Sequence, residues 1–180
     1  ALKRLAQAGL VAIHHGGGAR VLNYRHTGNL DLLTRLLFRS DATIDLNVAR
    51  STMEMRAAMA PDIARLCAKR RQPKHVHQLL EIVAAMAEHP DDLPTLQTLA
   101  LQFWDVLVDG SDNIAYQLVF NSLREAYDRL RELLVEVLAT ELRDLPAYRA
   151  IAEAVHRGDD VSAAAVAQTL MHHGSSAVFQ

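Results

Sequence analysis

Two adjacent histidines run into three glycines at His14–Gly18, the densest chemical signal near the start of the chain. An imidazole donates or accepts a hydrogen bond according to its tautomer. Glycine lets a backbone approach a partner closely and take conformations closed to other residues. Ahead of this loop, Lys3 and Arg4 sit in a run of helix formers, Ala1–Ala8, whose apolar members are Leu2, Leu5 and Ala6. Gly9 stands where a left-handed residue stops a helix. Leu10–Ile13 and Arg20–Leu22 are short apolar runs with strand character, and the histidines and glycines fall between them. Helix, glycine stop and glycine-tipped hairpin is the order found in the back half of a winged helix. A basic helix end beside such a wing suits a nucleic-acid duplex, with Lys3, Arg4, His14, His15, Gly16 and Gly17 as the candidate contacts. The glycines do not make a phosphate loop, because a polar stretch and not a helix N-terminus follows them.

Farther along, the candidate residues are scattered on apolar helix faces. Arg56 is one, and a guanidinium there needs a partner, either a ligand or an acid such as Glu54. Trp104 either fills core or lines a hollow. Asn121, Tyr127 and Tyr148 carry polar tips on apolar bodies and are candidate lining residues or satisfied core residues. His75 and His77 lie two apart, on different faces of a helix, and read as surface residues. Paired carboxylates on one face are absent, as is a serine or cysteine beside a base, so the reading is not an enzyme.

Helices must position these groups. The 180 residues are 50% hydrophobic but only 5% aromatic, so the core is built from Leu, Ala, Val, Ile and Met. That composition favours helix and is long enough for one sizeable core. A net charge of −2 confines any nucleic-acid contact to a local patch. The lone cysteine, Cys67, excludes an internal disulfide, fits a cytoplasmic protein and reads as buried filler. No apolar run is long enough to span a membrane. Residues 1–23 form the helix and hairpin, 24–29 a polar linker, and 30–180 a helical domain. Apolar spacing places helices at Leu30–Phe38, from an Asp41 or Thr43 cap to Arg70, and at Pro73–Glu88. Further helices follow at Asp91–Val108, Asn113–Ala139, Leu145–His156 and Val161–His173. Pro61 should kink the second. The fold class is mostly α: a winged-helix fragment followed by an all-α bundle of about seven helices.

The phrase ALKRLAQAGLV followed by GGGARV resembles the end of the DNA-binding domain of GntR-family transcriptional regulators. The resemblance implies that the sequence opens inside a recognition helix, with two earlier helices ahead of it. It also implies that His15 and Gly16 are the pair that enters a minor groove. EMRAAMAPDIARLCAKR, Glu54–Arg70, resembles the opening helix of the effector domain of the FadR subfamily, with Glu54 and Arg56 at its two polar positions. FWDVLVDGSDNIAYQLVFNSLREAYDRL resembles the fatty-acid-responsive branch, through Ser111, Asn113, Tyr116, Asn121 and Tyr127. MHHGSS resembles that branch's last helix, where His173 and Gly174 hold the places of acyl-contacting residues.

Most domains of the subfamily hold a metal through one aspartate and three histidines. Here those positions resemble Ala100, Trp104, Tyr148 and His172 or His173, so no metal and no cofactor is expected. The resemblance implies a homodimeric regulator on a near-palindromic DNA operator. Its effector would be a long-chain acyl-CoA or fatty acid contacting Arg56, Trp104, Asn121, Tyr127, Tyr148, His173 and Gly174. The alternatives are a small carboxylic acid as effector, or a helical interaction module without a DNA role.

Overall fold

The computed structural model describes residues 2–178 apart from 15, 17 and 39–42; the side chains of residues 31 and 173–178 also lie outside the described set. Expectations for His15, Gly17, Asp41 and the side chain of His173 therefore fall outside it, as do the surroundings of Gly174.

The first unit is small. Helix α1 (Leu2–Gln7) leads into strand β1 (Val11–His14), which pairs antiparallel with β2 (Gly18–Val21). Val11 faces Val21 and His14 faces Gly18, so the second strand begins two residues earlier than its apolar run suggests. Gly9 has φ +71°, and a Cβ there would stand 1.9 Å from the carbonyl oxygen of Thr27. Only glycine fits that turn. The Thr27 hydroxyl donates to the Gly9 carbonyl at 2.6 Å, tying the next segment down. That segment is not a plain linker: Tyr24–Thr27 forms the short helix α2, capped by the Asn23 side chain. A local side-chain cap can start a helical turn in a polar stretch with no apolar periodicity to announce it.

The helical domain follows as a short 3₁₀ turn at Leu30–Leu32 and eight α-helices among the described residues. They are α3 (Leu33–Leu37), α4 (Leu46–Arg70), α5 (Pro73–Glu88), α6 (Leu93–Gly110), α7 (Ile114–Val137), α8 (Ala139–Leu142), α9 (Leu145–Arg157) and α10 (Asp160–Val178). Long α4 runs along α10 and also meets α6 and α9; α5 packs on α6 and α9, and α7 on α3 and α6. Their shared interior holds Ala64, Cys67, Leu79, Phe103, Leu107, Tyr148, Ile151, Val155 and Leu170, all within a percent of full burial.

The boundaries are set by caps. Asp45, and not Thr43, opens α4 by accepting from the amides of Asn47 and Val48 at 3.0 and 3.3 Å. Asp92 and Asn113 do the same for α6 and α7, and Asp144 for α9. Each satisfies amides that a helix end leaves without a partner. Helix α6 runs two residues past its expected end, to Gly110. There a Cβ would stand 2.5 Å from the Cys67 sulfur, so the glycine serves close packing and not chain reversal. The reversal falls on Asp112, at φ 47°, where the Arg70 guanidinium donates to the carbonyls of Ser111 and Asp112. Helix α4 is continuous through Pro61, which costs it one backbone donor without ending it.

Candidate effector cavity and basic hairpin

A cavity of about 150 Å³, open on one side, lies between α4, α6, α7 and α8. Its walls are nearly all apolar: Met53, Met59 and Ile63 come from α4, Ala100 and Trp104 from α6, and Phe120, Leu123, Tyr127, Leu130 and Leu134 from α7. The α7 residues recur at helical spacing, so one stripe of that helix faces inward. Among its described residues α7 buries only Ala126 fully, because its inner face borders a hollow and not packed side chains.

Arg56 and Glu141 share the wall. The Arg56 Nη1 donates to Glu141 Oε2 at 2.9 Å, and Nη2 donates to Oε1. This is a two-pronged pair with Glu141 only 1% exposed and Arg56 25% exposed. Burial alone would push the guanidinium down; the Glu141 charge and hydrogen bonds outweigh it and hold Arg56 above its ordinary value. The partner is therefore an acid, but not Glu54, which is exposed. Sequence reasoning missed Glu141. Its one signal is an acid between Leu138 and Leu142 in a stretch that otherwise reads as buried helix.

Three buried polar atoms among the described residues have no hydrogen-bond partner: Trp104 Nε1, Tyr148 Oη and Arg124 Nε. Trp104 and Arg124 line the cavity. Tyr148 lies behind it, edge-on to Phe103 at 5.1 Å, and is fully buried. Arg124 pairs with Asp105 and lies 5.6 Å from the Phe120 ring centroid. Asn121 is a correction: it is exposed, accepts from Gln117 at 3.2 Å, and projects beside the lining stripe. The polar amide takes the solvent side of α7 because its neighbours on the inner side are apolar.

Burial pushes the Tyr127 hydroxyl up to about 12 and Tyr148 well above its usual value. Both are neutral when protonated, so the folded state holds these protons more tightly than the unfolded chain. The stability they contribute is complete below pH 10 and is lost as pH rises from 10 towards 12. Denaturant midpoints measured across that range should fall, and Tyr127→Phe should make the fall shallower. An unchanged slope in the variant would contradict the burial of Tyr127.

Four of the positions that the resemblance compares with metal ligands are described. Ala100 and Trp104 offer no ligand atom suited to an ion, Tyr148 is a buried phenol, and His172 is exposed. Among the described residues no group of three or more His, Cys, Asp and Glu is close enough to hold a metal.

His75 is a second correction. It is 3% exposed, with Nε2 at 2.9 Å from Asp109 Oδ2 and Nδ1 accepting from the Gln72 amide. The α5 cap turns it inward against Gly110, whereas His77 is exposed as expected. Hydrogen bonds from Lys74 and then from His75 hold the Asp109 carboxyl below its usual range. Cys67 is buried, and desolvation pushes its thiol up to about 12, as befits inert filler.

At the hairpin, Lys3, Arg4, His14 and Gly16 are all exposed, and Gly16 has φ +87°. Residues 2–28 carry Lys3, Arg4, Arg20 and Arg25 and no acid, while the chain as a whole is acidic. The basic patch is thus local.

The fold agrees with comparisons to known proteins. Residues 51–173 match the FCD domain. HTH-type transcriptional regulator Mce2R of Mycobacterium tuberculosis is 35% identical over 171 residues, covering 95% of this chain and 70% of the relative. A second HTH-type regulator of that species, Rv0494, is 29% identical over 177 residues, covering 69% of its length. A solved structure titled Streptococcus agalactiae GntR superposes with a TM-score of 0.63 at 19% identity, over 97% of this chain and 78% of that one.

Proposed function

Because the chain belongs to the GntR family of HTH-type transcriptional regulators that carry an FCD domain, and is not an enzyme, we propose that its cavity senses a fatty-acyl effector and thereby sets DNA binding. The observation that carries this reading is the apolar hollow between α4, α6 and α7, with Arg56, Trp104, Arg124 and Glu141 among its few polar groups. An apolar pocket with a small number of convergent polar groups is the usual form of a small-molecule site. The resemblance to the fatty-acid-responsive branch supports a long-chain acyl-CoA or fatty acid. The exposed basic hairpin then lies against a duplex, two chains sharing a near-palindromic operator. The effector shifts the population towards a form that no longer holds it. No helix of the described residues is long and apolar enough to cross a membrane.

The hollow is smaller than most ligand sites. At about 150 Å³ it matches a cavity that accommodates benzene, so a long chain must occupy the open mouth as well. That size also favours the second reading, a small carboxylic acid, while the commitment of Arg56 to Glu141 counts against it.

Thermal-shift measurements with oleoyl-CoA, oleate, zinc and buffer separate these readings. A ligand at a hundred times its dissociation constant stabilises by about 2.7 kcal/mol, which for a domain of this size raises the midpoint by roughly 5–10 °C. Stabilisation by an acyl ligand alone is the expected result. Stabilisation by zinc alone would overturn both the acyl reading and the metal-free one.

A further inference from the structure

Resting on the reading of the cavity as an effector site, we propose that Glu141 is a specificity-determining residue: by occupying Arg56 it turns away free carboxylates and leaves the site to uncharged ligands bearing a carbonyl, such as acyl esters or thioesters.

The charge inventory of the wall carries the argument. Its charged residues are Arg56, Arg124 and Glu141. Arg56 is held by both oxygens of Glu141, and Arg124 is paired with Asp105. Each cation of the wall already has its acid. A carboxylate entering the hollow must then take Arg56 from Glu141 or lie beside it. The first course strands an acid that is 1% exposed, and the second sets two like charges side by side. Both are unfavourable beside an acid so deeply buried. An uncharged carbonyl meets neither obstacle.

The wall also offers what a carbonyl needs. The indole N–H of Trp104 is a donor only, and here it is buried without a partner. Behind the wall, the Tyr148 hydroxyl is fully buried and also without a partner, close enough to feel the charges of Glu141 and Arg56. A buried donor without an acceptor is unfavourable until a ligand supplies one. An unsatisfied indole donor in the same wall as a neutralised cation selects for an acceptor without charge.

The test is calorimetric titration of this chain with decanoate and with methyl decanoate at neutral pH, on the native sequence, Glu141→Gln and Trp104→Phe. The native chain should bind the ester at least about tenfold more tightly than the acid, the ratio expected when a charged hydrogen bond has to be broken. Glu141→Gln releases the guanidinium, so decanoate should gain about tenfold and close most of the gap to an ester whose affinity barely moves. Trp104→Phe should weaken the ester by about fivefold through loss of one neutral hydrogen bond. Trp104 is the single tryptophan, so its one indole N–H resonance reports directly and should move downfield when methyl decanoate binds the native chain. That readout stands even if Glu141→Gln does not fold. A native chain that prefers decanoate, or an indole resonance unmoved by bound ester, would overturn the role of Glu141 and Trp104 while leaving the cavity an effector site. Binding of neither ligand would overturn the effector reading itself.

Discussion

Arg56→Ala is expected to lower the thermal midpoint by about 10 °C. Removing one member of a buried ion pair costs about 3–5 kcal/mol, because the charge left behind loses its partner but not its burial. The residue left behind here is Glu141, only 1% exposed, while Arg56 itself is 25% exposed. That partial exposure lets water reach the vacated space, so the low end of the range, about 3 kcal/mol, is the appropriate figure. For a domain of 150–250 residues each kcal/mol shifts the midpoint by about 2–4 °C. The pair also joins α4 to α8, 85 positions apart in sequence, so its loss loosens the cavity wall at the same point. Removing both charges, as Arg56→Met with Glu141→Leu, should be far milder, since no stranded acid remains. Differential scanning calorimetry of the native chain and the two variants decides the matter. A single variant that melts within about 2 °C of the native chain would show that the pair behaves as a surface pair, worth about 1 kcal/mol at most.

The contrast with the double variant explains which parts of this molecule were legible in the sequence. Helix positions were, because apolar residues at helical spacing bury one face whatever the neighbours are. Helix ends were legible only to within a few residues. Between Asp91 and Asp92, or Thr43 and Asp45, composition does not say which side chain takes the free amides. Gly110 is ambiguous for a similar reason: a glycine near a helix end commonly serves as a stop, but here it makes room for Cys67 and His75. Arg56, Trp104 and Tyr127 were legible as unusual residues on an apolar face, and the structure brings all three to one cavity wall. Their chemistry was not legible, because the partner of Arg56 lies on a helical turn far along the chain and only tertiary packing brings it close. Asn121 shows the opposite failure, in which a resemblance in residue type carried no information about facing. His75 shows how one side chain in a cap turns a residue from surface to interior.

Phe103→Ala should destabilise the chain by about 3–5 kcal/mol, the usual cost of emptying a buried aromatic site, or roughly 10 °C in midpoint. Phe103 is fully buried and meets two aromatic neighbours edge-on, Tyr148 at 5.1 Å and Trp104 at 6.4 Å between ring centroids. Such pairs add about 0.5–1.5 kcal/mol beyond the area they bury, which places the cost towards the upper end. Phe103→Leu keeps most of the volume but loses both ring pairs, so it should cost about 1–3 kcal/mol, less than the alanine change. The alanine variant opens an apolar hole directly behind the cavity wall, and a hole of that kind stays dry and accepts a small aromatic molecule. Indole at ten times its dissociation constant should therefore restore about 1.4 kcal/mol, a few degrees of midpoint, to the variant and not to the native chain. The same ring braces Trp104, whose N–H is the donor assigned to the ligand carbonyl. Ester binding should therefore weaken in Phe103→Ala and recover in part in Phe103→Leu. A variant that loses stability but binds methyl decanoate at native strength would separate the packed core from the cavity. The placement of Trp104 would then owe nothing to the ring behind it.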